Sequence, residues 1–207
     1  MSTVQNKANT GQKWILAALL VLFALPFSLS WFLFNFTDFG KGEGKASHGE
    51  LIVPPRLLPD VQLVDATGPS NEPARLYGKW SLVYLLDGEC GEDCEQNLYR
   101  MRQLRLAMGK HAHRVQRVLI NYGEAPVQLS RIQMREYRRQ YLINAAAHAD
   151  LDSPEIFALS SDDRPLAANR LYIVDPRGFL MMSYAPGTAP GGIIEDLKRL
   201  LRYSSIG

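Results

Sequence analysis

The placement of two cysteines constrains this chain more than any other feature. Cys90 and Cys94 are the only cysteines among 207 residues. They fall where an apolar run, Trp80 to Leu86, gives way to a helical pattern with Leu98, Met101, Leu104 and Met108 at spacings of three and four. Residues four apart on a helix share a face one turn up, with Cα atoms roughly 6 Å apart. That separation suits a disulfide. It equally lets both sulfurs reach one soft metal ion. The residues therefore allow one structural bridge, one redox pair or part of a metal site.

The compartment bears on that choice, and the N-terminus speaks to the compartment. Residues 1–13 are polar, with Lys7 and Lys13 and no acid; Trp14 to Phe34 is apolar apart from Pro26, Ser28 and Ser30. Such a run spans roughly 31 Å as a helix, enough to cross a bilayer core. The preceding lysines predict a cytoplasmic N-terminus (residues 1–13), a transmembrane helix over 14–36 and an exported remainder. The rival reading is a cleaved signal peptide, because Ser28-Leu29-Ser30 resembles a cleavage site; bulky aromatics beyond it favour the anchor.

Residues 37–50 hold Gly40, Gly42, Gly44 and Gly49 among charged residues, and Pro54-Pro55 predicts extended chain. Residues 37–59 are accordingly expected to be a juxtamembrane linker and 60–207 the folded domain. His48 falls in the linker and is expected to be solvated. In the domain, the pattern predicts strands at Val61–Val64, Trp80–Leu86, Val115–Ile120 and Ile156–Leu159, and a hairpin of Leu171–Val174 with Phe179–Tyr184. Helices are predicted from the cysteines to about Met108, over the basic stretch Leu129–Leu142 and over Ile193–Leu201. This order is α/β, and it matches a thioredoxin-like domain with extra strand at the front. A formal net charge of +2 with 21% charged residues gives no reason to expect a nucleic-acid partner.

The chain resembles the Sco/SenC family of membrane-anchored thioredoxin-like proteins. The resemblance rests on Cys90-x-x-x-Cys94 after a strand, on the approach Gln62-Leu63-Val64-Asp65 through Gly78-Lys79-Trp80, and on Leu171-Tyr172-Ile173-Val174-Asp175-Pro176-Arg177-Gly178. The stretches Gly49–Arg56, Met101–Arg105 and Leu180–Met182 are similar to a divergent group encoded with cytochrome c oxidase assembly factors in proteobacteria. The resemblance implies a single-pass protein of the bacterial inner membrane, its domain in the periplasm. It implies an accessory role in cytochrome c oxidase assembly, copper or thiol chemistry at Cys90 and Cys94, and an oxidase subunit or another assembly factor as partner. Any enzymatic activity it implies is at most that of a thiol-disulfide oxidoreductase.

The chain departs from that pattern in ways that bear on chemistry. Gly91 and Glu95 replace the prolines that follow each cysteine, and no histidine lies between Pro165 and Tyr172, where the family carries a copper ligand. The position of the cis-proline of thioredoxin-type reductases falls at about Asn169, with Pro165 offset. Cu(I) at Cys90 and Cys94 is the candidate cofactor, with His148 the available third ligand. Glu89, Glu92, Asp93 and Glu95 flank the pair; Asp93 is a candidate N-cap, and the acids oppose thiolate formation. His111 and His113 stand too far along the helix to join the cysteines and are expected at the surface, as are Arg131, Arg135, Arg138 and Arg139. The competing reading is a non-catalytic interaction domain with a structural disulfide.

Overall fold

The computed structural model describes residues 10–36, 47–65, 74–124, 127, 139–148, 151 and 153–204. The chain divides into two compact units, Met1–Ala46 and Ser47–Gly207. In the first, α1 runs from Thr10 to Phe36 with Pro26 inside it. The Ser28 hydroxyl donates to the carbonyls of Ala24 (2.9 Å) and Leu25 (3.1 Å), close to the turn that the proline disturbs. Lys13–Phe32 is long and apolar enough to cross a membrane, and all of it is exposed.

The second unit is built on eight strands: β1 (Glu50–Leu57), β2 (Gln62–Asp65), β3 (Ala74–Arg75), β4 (Trp80–Leu86), β5 (Val115–Asn121), β6 (Gln140–Asn144), β7 (Leu171–Val174) and β8 (Phe179–Tyr184). Their order in the sheet is β1-β8-β7-β4-β5-β6-β2-β3. β4 runs parallel to β5 and antiparallel to β7, and all seven of its residues are buried, which explains its unbroken apolar sequence. Its side chains alternate between faces. Trp80, Leu82, Tyr84 and Leu86 meet Leu98, Met101 and Leu104 of α2 (Glu92–Ala107) and Ile193, Leu197 and Leu201 of α3 (Pro190–Tyr203). Val83 and Leu85 face the other way, onto a layer that includes Leu58, Leu76, Leu151 and Phe157. The predicted α/β, thioredoxin-like class is what forms.

The hairpin between β7 and β8 matches its sequence reading. The Asp175 carboxylate accepts the N–H groups of Arg177 (2.9 Å) and Phe179 (2.8 Å). Gly178 supplies a φ of +92°, and a Cβ there would lie 2.2 Å from the Tyr77 ring; this position needs glycine twice over.

Three expectations about these elements are corrected. The linker does not extend to residue 59, because Glu50–Leu57 is an edge strand, with Glu50 opposite Ser183 and Leu57 opposite Phe179. Burial of Ile52 and Leu58 holds it in place, and the register shifts between Leu51 and Arg56, around two prolines that an edge strand tolerates. His48 is exposed, as expected, although its ring packs against Gly192 and Nε2 lies 3.1 Å from Glu195 Oε2. The basic helix predicted over Leu129–Leu142 does not include Gln140–Leu142, since Gln140–Asn144 pairs in parallel with β5 and Arg139 turns the chain with φ +62°; residues 128–138, with Arg131, Arg135 and Arg138, lie outside the described residues. Ile156–Leu159 is not a strand. Pro154–Phe157 forms one 3-10 turn behind Ser153, and Phe157 packs edge-on against Tyr172, centroids 5.1 Å apart.

Candidate functional site

The cysteines sit past the C-terminal end of β4, Cys90 on the loop into α2 and Cys94 in the first turn of that helix. A disulfide joins them, with Cα atoms 5.1 Å apart. Cys94 is buried at 1% exposure, in contact with the α2–α3 core, while Cys90 is half-buried at its margin. A nucleophile or a metal would meet Cys90 before Cys94.

Two sets of contacts fix this loop, one on each side of the disulfide. On the Cys90 side, the Tyr122 N–H donates to the Leu86 carbonyl at 2.8 Å, extending the β4–β5 pairing by one bond. The Asn121 carboxamide oxygen then accepts the N–H groups of Gly88 (3.2 Å) and Gly123 (3.0 Å). Gly88 has φ +90°, and Gly123 is packed so closely that a Cβ would lie 2.2 Å from the Gly88 nitrogen. Two glycines let two backbone segments touch.

On the Cys94 side, the Asn97 side chain donates to the Asp93 carbonyl and to Asn169 Oδ1, both at 3.0 Å. The Tyr84 hydroxyl donates to the same Asn169 oxygen at 2.7 Å. Burial raises the Tyr84 pKa; its contact with Asn97 opposes the shift and Asp93 adds to it. Asn169 has φ +52°, a left-handed conformation that asparagine adopts more readily than most residues. The cis peptide among the described residues is Val53–Pro54, in β1. At the place expected for a cis-proline, the structure thus puts a left-handed asparagine with two hydrogen bonds to its oxygen.

The N-cap of α2 is Gly91, not Asp93, and no side chain caps it; the Glu95 N–H reaches the Gly91 carbonyl at 3.0 Å. Glu92, Asp93 and Glu95 lie in the first turn, where carboxylates favour a helix. With Asp87 and Glu89 they form an exposed acidic collar around the half-buried sulfur.

The reduced pair would offer Cu(I) two soft thiolates. Among the described residues no three side chains of the His, Cys, Asp or Glu type are grouped to hold a metal. His148 joins no such group; its N–H caps the short turn Ala145–Ala147 through the Ala145 carbonyl at 2.9 Å. The donor set therefore fits a two-sulfur site. His111 and His113 lie on the 3-10 turn Gly109–Arg114, and His113 Nδ1 meets the Lys110 carbonyl at 2.8 Å. A cleft of about 420 Å³ lies elsewhere, lined by Trp80 from the opposite end of β4, Met181, Leu200 and Tyr203, among others; neither cysteine and none of the histidines lines it. Sequence reasoning missed Tyr84 and Asn97, which read as plain core and helix positions.

Solved structures share this fold. Yeast Sco1 superposes with a TM-score of 0.52 at 15% identity, covering 73% of this chain and 97% of its own. Copper-bound yeast Sco1 gives 0.51 at 15%, covering 72% and 91%. BsSco, described as a member of the Sco family of cytochrome c oxidase assembly proteins with a disulfide switch, gives 0.50 at 13%, covering 73% and 96%. At these identities the likeness establishes a Sco-like thioredoxin fold. No curated protein matches the sequence. The model of one family matches residues 80–204, from β4 through the cysteines and the hairpin to the end of α3. More than half of the chain is thereby accounted for, and the protein belongs to the family described as transmembrane-like, thioredoxin-like, C-terminal domain.

Proposed function

We propose that this protein is a membrane-anchored accessory factor in cytochrome c oxidase assembly that handles copper or thiol redox state through Cys90 and Cys94. The observation that carries the reading is the position of the pair: a disulfide at the junction of the central strand and its helix, with one half-buried and one buried sulfur. That asymmetry suits thiol exchange, in which an accessible sulfur is attacked and a buried partner leaves or resolves. The copper arm draws support from yeast Sco1, solved with copper bound; the assembly arm draws support from the family description of BsSco. In this reading α1 anchors the chain in a bacterial inner membrane with residues 1–13 in the cytoplasm, 37–46 serve as a linker and the thioredoxin-like unit faces the periplasm. An oxidase subunit or another assembly factor is the partner.

The second reading is a non-catalytic interaction domain with a structural disulfide. The 1% exposure of Cys94 and the lack of a third grouped metal donor among the described residues favour it.

The experiment uses the full-length chain in detergent. After reduction it is titrated with Cu(I) in competition with a chelator, alongside Cys90→Ser and Cys94→Ser. One Cu(I) bound by the wild type and lost in both variants supports copper handling. Binding that persists without the cysteines moves the metal elsewhere. If the reduced wild type binds no Cu(I), and the oxidised pair resists glutathione, the structural reading stands.

A further inference from the structure

Asn169 lies in the turn before β7, far in sequence from the cysteines. Its backbone sits in the left-handed region at φ +52°, which few side chains adopt without cost. Its carboxamide oxygen accepts from Tyr84 on β4 and from Asn97 on α2. A carbonyl oxygen has two lone pairs, and both have a donor here. The two donor residues are buried, Tyr84 at 5% and Asn97 at 7% exposure, so neither would find water readily if Asn169 were lost. The same Asn97 amide nitrogen reaches the carbonyl of Asp93, the residue before Cys94. One side chain thus connects the β7 approach, the central strand and the helical turn that carries the buried sulfur.

We propose that Asn169 is a positioning residue for the cysteine pair, holding the first turn of α2 where Cys94 closes onto Cys90 and so setting the balance between disulfide and dithiol. The proposal rests on Cys90–Cys94 being a working pair. Its logic is preorganisation. The Cys90 side is anchored separately by Asn121 through Gly88. With both sides held, opening the bond leaves two thiols facing each other at high effective concentration, which favours reclosure. Releasing the Cys94 side lowers that concentration, and the pair becomes easier to reduce.

The balanced reaction measured is dithiol plus oxidised dithiothreitol giving protein disulfide plus reduced dithiothreitol. Two electrons and two protons pass from the protein to the reagent, one S–S bond forming and one breaking. Full-length protein in detergent is equilibrated across dithiothreitol redox ratios, quenched with an alkylating reagent and read by mass. Asn169→Gly keeps the left-handed backbone and removes the acceptor. It is expected to lower the equilibrium constant for oxidation about tenfold, equivalent to roughly 30 mV for a two-electron couple. Asn97→Ala, which a helix accommodates well, should move it in the same direction and decides the matter if Asn169→Gly fails to fold. Asn169→Asp keeps an acceptor in place and should stay within about threefold of wild type. A purely structural role would lower the melting temperature of oxidised and reduced forms alike and leave the constant unmoved. The proposal is overturned if Asn169→Gly and Asn97→Ala both stay within about twofold of wild type, or if Asn169→Asp behaves like Asn169→Gly. A wild-type pair that exchanges with dithiothreitol but never with glutathione sinks the working-pair reading alone; the variant-to-wild-type ratio still decides the role of Asn169.

Discussion

Asp196 accepts the main-chain N–H of His48 at 2.7 Å from a site on α3 that is only 3% exposed. The same oxygen, Oδ2, takes the Gly49 N–H (3.2 Å) and the Tyr184 hydroxyl (3.1 Å). Gly49 packs so tightly that a Cβ would lie 2.6 Å from the Tyr184 ring, and one on Gly192 would lie 2.5 Å from the His48 ring. The start of the second unit is therefore clamped to its last helix by one buried carboxylate.

Replacing Asp196 by alanine leaves three donors without this acceptor, two of them on the residues just before β1. Hydrogen bonds to a charged group contribute more than neutral ones, so the expected loss is about 2–4 kcal/mol. Denaturant unfolding of the full chain in detergent should show a lower midpoint. An unchanged midpoint would mean that the clamp contributes nothing to stability.

Gly123→Ala should disturb the cysteine loop from the turn that follows the neighbouring strand β5. The added carbon would stand 2.2 Å from the nitrogen and 2.4 Å from the Cα of Gly88. Both are backbone atoms, which cannot rotate away. Overpacking of this kind costs about 1–3 kcal/mol. Alkylation of the reduced protein should also show Cys90 reacting faster than in wild type; equal rates and equal stability would show that the two turns separate freely.

Alkaline pH should unfold the domain by way of its tyrosines. Burial pushes the Tyr172 hydroxyl up to about 12, with Arg170 opposing the shift, and burial beside Asp196 raises Tyr184 further. The folded-state values are raised, so the unfolded chain releases these protons first. Stability is then fully retained below about pH 10, the unfolded value. It falls as pH rises from there through the folded values. Tyr172→Phe should flatten the decline between pH 10 and 12, as read by chemical denaturation at each pH. An identical slope in the variant would place the alkaline sensitivity elsewhere.

The membrane arrangement has a direct genetic test. Lys7 and Lys13 precede the apolar run Trp14–Phe34, so the proposed orientation predicts residues 37–207 on the far side of the membrane. A reporter active only in the cytoplasm, fused after Gly207, should be silent. Activity comparable to a cytoplasmic control would reverse the orientation.

Local periodicity encodes the short-range elements of this chain. The apolar run of α1, the unbroken Trp80–Leu86 strand, the helix after the cysteines and the Asp175–Gly178 turn are each short-range patterns, and each was legible. The spacing of the cysteines allowed a disulfide without imposing one: Cys90 precedes α2, and the 5.1 Å between the two Cα atoms comes from the turn that leads into the helix. The tertiary structure alone decided the rest. Glu50–Leu57 follows a glycine-rich stretch and holds two prolines, and only a vacant edge beside β8 makes it a strand. Gln140–Asn144 continues a helical pattern, and only the exposed side of β5 draws it into the sheet. Asn169, Asn97 and Tyr84 belong to a turn, a helix and a strand up to 85 residues apart. Hydrogen bonds between such segments leave no periodic trace, because their geometry comes from the packing of the whole domain.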